Sequence, residues 1–261
     1  MNDRKKYWNE EYTEYWKKVT EEAENKEITT TKIKKTTEGD CKSTGKTVAY
    51  ELFDELTYNE YDKVLDYGCG FGRFVEYFKD KTNYYGIDIS EAMIKECIRI
   101  YPDIREQFMV SEGENLPYKD GFFNKIICYG VFDACYQEEA LAEMFRVLAI
   151  DGEIIITGKN YSYMIDDNLA YDAEKGAREK GHPNYFTDVN NLLEQLSEIA
   201  IIKKEKYFLR RGDFTNNIYV NVMPKHFYEY ALILKKKRIN YNEINFSKFS
   251  YKYSKTWREI N

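Results

Sequence analysis

Histidine is scarce in this 261-residue chain: His182 and His226 are the only two, against 25 tyrosines. Any mechanism that needs several imidazoles is therefore excluded. The five cysteines (Cys41, Cys69, Cys97, Cys128 and Cys135) show no CxxC spacing, so a structural zinc site has no ligand pattern and no metal is expected. Their odd number and scatter are what reduced thiols in a cytosol look like, and a cytoplasmic location is the expectation. Four prolines and 14 glycines argue against a long disordered tract. Apolar runs extend only a few residues, too short to span a membrane. The first residues, MNDRKKYWNEEYTEYW, carry no apolar stretch of the kind a secretory signal needs. There is no excess of positive charge: 39 Lys and Arg face 45 Asp and Glu, a net −6, which disfavours a nucleic-acid binder working through bulk charge.

What is present is a soluble, globular composition, 43% hydrophobic and 32% charged. A chain of this length buries roughly 70–75% of its unfolded surface and needs no disulfide or metal to hold it together. Tyr7, Trp8, Tyr12, Tyr15, Trp16 and Val19 fall at helical spacing, which predicts an amphipathic helix over 4–24. Val48, Leu52 and Leu56 predict a second helix over 44–57. From Tyr61 onward short apolar runs alternate with helical segments. Strands are expected at 63–67, 83–88, 107–110, 124–130 and 153–157, with helices starting near 73, after Ser90 as N-cap, and over 138–148, where Asp151-Gly152 breaks the pattern. Continuous β-branched runs, in place of alternation, indicate strands covered on both faces. Strand–helix repetition of this kind implies an α/β, doubly wound, mostly parallel sheet.

Beyond the fifth strand, 158–186 is too long for an ordinary connection and reads as an insertion with its own helix or as a lid. Thr187 or Asp188 then caps a helix bearing Val189, Leu192, Leu193 and Leu196. Residues 199–211 and 216–223 read as two strands of a hairpin turning at Gly212-Asp213. No structure is assigned to the Tyr- and Lys-rich tail, 225–261. The expected organisation is an N-terminal helical cap (1–42), a Rossmann-like domain of about seven strands with a C-terminal antiparallel hairpin (43–224), and a C-terminal extension (225–261).

The strongest chemical signal is VLDYGCGFGRF, 64–74. Gly68, Gly70 and Gly72 lie between a strand and a helix, where glycine lets the backbone turn tightly and approach a ligand. Asp88 ends the next strand, twenty residues after Gly68, a spacing that suits a carboxylate accepting hydrogen bonds from both ribose hydroxyls of a nucleoside. The spacing is GxGxG and not the GxGxxG of a dinucleotide site. Asp66, two residues ahead of it, would repel a pyrophosphate and suits a ligand bearing ammonium or sulfonium charge.

VLDYGCGFGRF resembles motif I of the class I S-adenosylmethionine-dependent methyltransferases. GIDIS (86–90) is similar to that family's strand-two motif. SEGENLPYKDGFFNKIICYGVF (111–132) and RVLAIDGEIIIT (146–157) resemble the elements that follow, so the similarity covers roughly 44–160 in order. The resemblance implies S-adenosyl-L-methionine as cofactor, cradled by Asp66, Gly68, Gly70 and Gly72, with Asp88 on the ribose. It puts Ile89 on the adenine face, Glu112 and Gly113 at the adenine edge, and Tyr129 near the sulfonium. Many relatives carry a histidine within the element that here reads Phe132-Asp133-Ala134-Cys135, and no imidazole base is expected at that point.

Methyl transfer asks little of the protein beyond alignment, and a base is needed only for a neutral acceptor. Candidates for acceptor contact are Tyr7, Tyr15 and Trp16, the segment Gly39-Asp40-Cys41-Lys42, and Lys159, Asn160 and Tyr161 beyond strand five. His182, in GHPNYF, is the better of the two histidines for a base or an anion contact, and His226 reads as structural. Arg210-Arg211 suits either an anionic acceptor or a solvated surface. The function expected is methyl transfer to an oxygen, in preference to a nitrogen, of a small molecule. A weak resemblance points to nucleotide-activated or phosphate-like precursors of a bacterial surface polysaccharide. A protein methyltransferase and a non-catalytic cofactor-binding module stay open as alternatives, and the oligomeric state is undetermined.

Overall fold

The computed structural model describes residues 3–11, 45–238 and 244–255. The strands are β1 Lys63–Tyr67, β2 Asn83–Asp88, β3 Phe108–Val110, β4 Phe123–Cys128, β5 Leu148–Lys159, β6 Phe186–Thr187, β7 Ala200–Phe208, β8 Glu229–Lys236 and β9 Ser250–Tyr251. The helices are α1 Asp3–Lys6, α2 Gly45–Phe53, α3 Val75–Phe78, α4 Glu91–Ile100, α5 Gln137–Val147, α6 Asn168–Glu179 and α7 Val189–Ile199. Seven strands form one sheet in the order β3-β2-β1-β4-β5-β8-β7, and β6 pairs with β9 in a separate antiparallel ladder. Strands β1 to β5 run parallel, while β8 is antiparallel to both β5 and β7.

The apolar runs explain this sheet. Successive residues of a strand face opposite sides, so a continuous run feeds two layers at once. Leu65, Ile126, Ile154 and Leu232 join a cluster with Leu141 and Phe145 of α5 and Leu192 and Leu196 of α7. Their neighbours Val64, Ile127, Ile155 and Ile233 join the opposite cluster, with Leu52 and Phe53 of α2 and Ile94 and Cys97 of α4. Helix starts follow side-chain chemistry. Ser90 accepts from the Met93 amide (3.4 Å), Asp167 from Ala170 (3.0 Å) and Asp188 from Asn191 (3.3 Å).

Two sequence expectations need correction. The strand opposite β7 is not 216–223, which touches it only at a Tyr207–Val220 bridge. Its partner is β8, from the tail beyond the boundary drawn at residue 224, and β8 sits inside the sheet between β5 and β7. NNIYVNVM alternates apolar with polar residues and leaves Val222 81% exposed, whereas β8 offers a run buried on both faces. Secondly, Asp151-Gly152 does not precede the fifth strand. It lies within β5, where Asp151 takes a left-handed φ of 63° beside an irregularity in the β4 pairing. Of the helix expected over 4–24, the start is α1 followed by a π-turn at Tyr7–Glu11, and the remainder lies outside the described residues. The insertion does contain a helix, α6.

Strand β8 is locked in by Lys236, whose buried ammonium donates to the backbone carbonyls of Phe145 (2.5 Å) and Leu148 (2.7 Å) at the end of α5. Replacing Lys236 by Met keeps the stem and removes both bonds. Leaving two carbonyls unsatisfied is expected to lower the free energy of unfolding by about 1–3 kcal/mol, read from urea denaturation.

Candidate active site

A cavity of about 660 Å³ opens at the carboxyl ends of β1, β2, β4 and β5. Ligands of open α/β sheets enter there, because strand ends and following loops expose backbone groups that the ladder no longer uses. One half of the cavity is built by the glycine-rich loop. The amides of Gly68 and Cys69 both donate to the Ile87 carbonyl at 2.8 Å, which ties the loop to β2. Gly68 has φ 79°, and a Cβ there would stand 2.5 Å from Val131, so no side chain fits. Gly70 has φ 54° and faces open space: a Cβ there would meet only Met93 Sδ, at 3.9 Å.

Asp88 holds this geometry. One carboxylate oxygen accepts from the Gly70 amide (3.0 Å) and the other from the Ser90 amide (2.8 Å). Burial pushes its pKa up to about 6, and the backbone amides oppose the shift. Asp66 behaves differently from the expectation. It does not line the cavity but lies buried beneath the loop, accepting from the Tyr84 hydroxyl at 2.7 Å. Position 66 shares its strand face with Val64, which points into the layer of α2 and α4. Burial, then the neighbouring Asp88 charge, push the Asp66 pKa up to about 7, against the Tyr84 hydrogen bond and Arg73.

The structure brings Gly68, Gly70, Gly72, Asp88, Ile89 and Gly113 to the cavity wall. Glu112 stands at the same wall, half exposed and 3.8 Å from Lys5. Tyr129 lines it between the rings of Phe74 (5.5 Å) and Phe214 (5.6 Å). Lys159 and His182 also line it. Asn160 and Tyr161 do not. The Asn160 side chain donates to the Ser162 (2.8 Å) and Phe227 (3.3 Å) carbonyls, and Tyr161 stacks on Tyr251 and accepts from Lys255. Past Lys159 the backbone turns towards the β6–β9 ladder, so the next two side chains leave the site. His226 bonds the Ser162 hydroxyl (2.8 Å), outside the cavity. Tyr15, Trp16 and the segment 39–42 lie outside the described residues.

Tyr7 is buried and meets the His182 ring edge-on at 5.0 Å, while Trp8 meets it at 5.3 Å and lines the cavity. Arg4 fixes this segment through a two-pronged pair with Glu114 (2.5 and 2.7 Å) beneath the Tyr136 ring, and Asn9 accepts from the Glu91 amide at 2.8 Å. The N-terminal helical segment thus crosses the cavity mouth and is pinned on both sides.

Apart from Lys159 and Arg211, sequence reasoning missed the opposite wall. Lys159 Nζ lies 3.1 Å from both Asp133 and Glu174 and 3.4 Å from Asn184 Oδ1. Tyr228 and Asn184 both donate to Glu174, and Arg211 donates to Tyr228 at 3.0 Å. These groups come from the turn after β4, the end of β5, α6, the segment between α6 and β6, the turn after β7 and the residue before β8. No local motif joins them. Of the arginine pair, Arg211 lines the cavity and Arg210 pairs with Asp166 on the exposed side.

A strand order of this kind, with a glycine loop and a strand-end carboxylate at one sheet edge, suits a ligand that carries a nucleoside. A family model described as a methyltransferase domain matches residues 65–156. MJ0638 of Methanocaldococcus jannaschii is 31% identical over 109 residues, covering 42% of this chain and 46% of its own. Phthiotriol/phenolphthiotriol dimycocerosates methyltransferase 1 of Mycobacterium ulcerans is 31% identical over 163 residues, 58% of each. The chain spans about half the length of the curated relatives it matches. Among solved structures, magnesium protoporphyrin IX methyltransferase of Synechocystis PCC 6803 superposes with a TM-score of 0.58 at 14% identity, over 90% of this chain and all of that one. Residues 65–156 therefore carry a methyltransferase domain of the S-adenosylmethionine-dependent class.

The residues present fit that cofactor: the open space in front of Gly70 is a cradle that a Cβ would partly fill, and Asp88 stands at its rim. Gly70→Ala is expected to cost about 1–2 kcal/mol of stability through the left-handed φ. It should weaken S-adenosylhomocysteine binding by about tenfold or more, read by calorimetry on the folded variant.

Proposed function

We propose that the protein is an S-adenosylmethionine-dependent methyltransferase acting on a small polar molecule. The observation that carries this is one cavity running without interruption from the glycine loop to the polar wall around Lys159, under the strap formed by Arg4 and Trp8. Its volume suits a nucleoside with a small partner. When bound, the cofactor supplies a methyl group already activated on a positive sulfur.

The chain's own residues bind and orient. Asp88 accepts from the ribose hydroxyls with the lone pairs its two amide partners leave open. Ile89 and Gly113 meet the base, and Tyr129 and Phe214 close the aromatic side near the transferred group. His182, held between Tyr7 and Trp8, contacts the acceptor, and the α6 insertion together with the N-terminal strap serves as a lid that keeps water out. Oxygen is preferred to nitrogen as the acceptor atom. An amine is mostly protonated at neutral pH and has no free lone pair, whereas a hydroxyl keeps its own. The relatives described above lend no support to a surface-polysaccharide precursor as the acceptor.

Two measurements test this. Affinity for S-adenosylhomocysteine should rise as pH increases through about 6, where Asp88 ionises and becomes a full acceptor, and then level off. Asp88→Asn should remove that inflection and weaken binding by about tenfold or more, consistent with about 1.5–3 kcal/mol for hydrogen bonds to a charged group. Separately, methyl-labelled donor incubated with the protein and a fractionated cell extract should label the small-molecule fraction. Label confined to protein would overturn the assignment of acceptor class.

A further inference from the structure

We propose that Glu229 is the proton acceptor for the methylated group, and that the acceptor is therefore a neutral hydroxyl compound and not a pre-ionised carboxylate or phosphate. The inference rests on the methyltransferase function proposed above and adds to it a residue and a substrate class.

Glu229 opens β8. Because β8 runs antiparallel, its first residue lies at the same sheet edge as the last residues of the parallel strands, and it pairs directly with Lys159 at the end of β5. Strand spacing puts its backbone two strands, about 10 Å, from the end of β4 where Tyr129 stands. Glu229 lines the same cavity as Tyr129 and the glycine loop. A carboxylate there stands on the acceptor side, across from the place where the methyl group is presented.

The neighbouring charges single it out. Facing it are Lys159 on β5, Arg211 after β7, Asp133 after β4 and Glu174 on α6. Three carboxylates thus share two cations, one negative charge in excess in a partly buried cluster. Lys159 spends its three N–H bonds on Asp133, Glu174 and Asn184. Arg211 is engaged by the Tyr228 hydroxyl through its side chain and by Asp167 through its amide. Among the described residues no hydrogen bond and no ion pair within 4.0 Å reaches the Glu229 carboxylate. It is the member of the cluster whose proton can come and go without breaking a contact. Burial pushes its pKa up to about 7, with Arg211 and Lys159 pulling the other way, so it changes state near neutrality.

In the step proposed, a lone pair of the acceptor oxygen forms the new bond to the methyl carbon. The carbon–sulfur bond breaks with its pair moving to sulfur, which becomes a neutral thioether. The hydroxyl proton passes to Glu229 and leaves to solvent after product release.

The test uses the full chain. With glutamate carboxyls labelled with carbon-13 and S-adenosylhomocysteine bound, the resonance lost in Glu229→Gln identifies the group, and its midpoint should fall near neutrality. Phenol and glycerol serve as probe acceptors with methyl-labelled donor. Their slow methylation should rise with pH through the same midpoint and drop by about a hundredfold in Glu229→Gln, with S-adenosylhomocysteine affinity changed less than about twofold. Glu229→Asp, which keeps a carboxylate, should recover part of the rate. A midpoint in the ordinary carboxylate range, or probe methylation indifferent to Glu229→Gln, overturns the role of Glu229 and leaves the methyltransferase function standing. Failure of the unaltered protein to bind S-adenosylhomocysteine would instead overturn that function.

Discussion

The carboxylate of Asp88, clamped between the amides of Gly70 and Ser90, is the contact on which the binding half of the molecule depends. It ends β2, steadies the glycine loop and abuts the Ser90 cap that starts α4, so one buried charge fixes three elements. Burying a carboxylate is costly unless its oxygens are bonded, and here the backbone supplies the bonds. The loop cannot shift without stranding that charge. The Ile87 carbonyl reinforces it from below by accepting from Gly68 and Cys69. A rim of amides and one acid is thus preorganised, and ordering it adds little to the cost of binding a nucleoside.

The far wall obeys a different constraint. Its charges arrive from segments distant in sequence and meet because strand ends of opposite direction share one edge. Lys159 is enclosed by two carboxylates, and its pKa stands well above the ordinary lysine value: burial opposes the charge, but Glu174, Tyr228 and Asp133 outweigh it. It is therefore a fixed cation that organises the wall. The polar side of the cavity is held where these donors are engaged, and no donor among the described residues reaches the Glu229 carboxylate.

Much of the frame is legible in the sequence because it is local. The bounds of β1 and β2, the Ser90 cap and the glycine loop follow from apolar runs, a serine before a helical stripe and glycines at a turn. Non-local choices are not legible in this way. NNIYVNVM competes with YALILKK for the place beside β7, and only the burial available on both faces of the sheet decides for the latter. The side of a strand is equally hard to judge at its end: Asp66 reads as a ligand contact two residues before the loop, yet its alternation turns it inward to Tyr84. Asn160 and Tyr161 follow Lys159 in sequence but leave with the backbone towards Thr187. The wall of Asp133, Glu174, Asn184 and Glu229 has no motif because it exists only once the sheet is assembled.

The position of β8 bears on how the molecule is made. As the ribosome extends the chain, β5 and β7 emerge well before the strand that joins them, so β5 is left as an open sheet edge and β7 has no sheet to dock on. A nascent chain halted short of residue 236 would present unpaired backbone of the kind that recruits neighbouring molecules. Closure of the seven-stranded sheet and the arrival of Glu229 beside Lys159 are therefore the same late event.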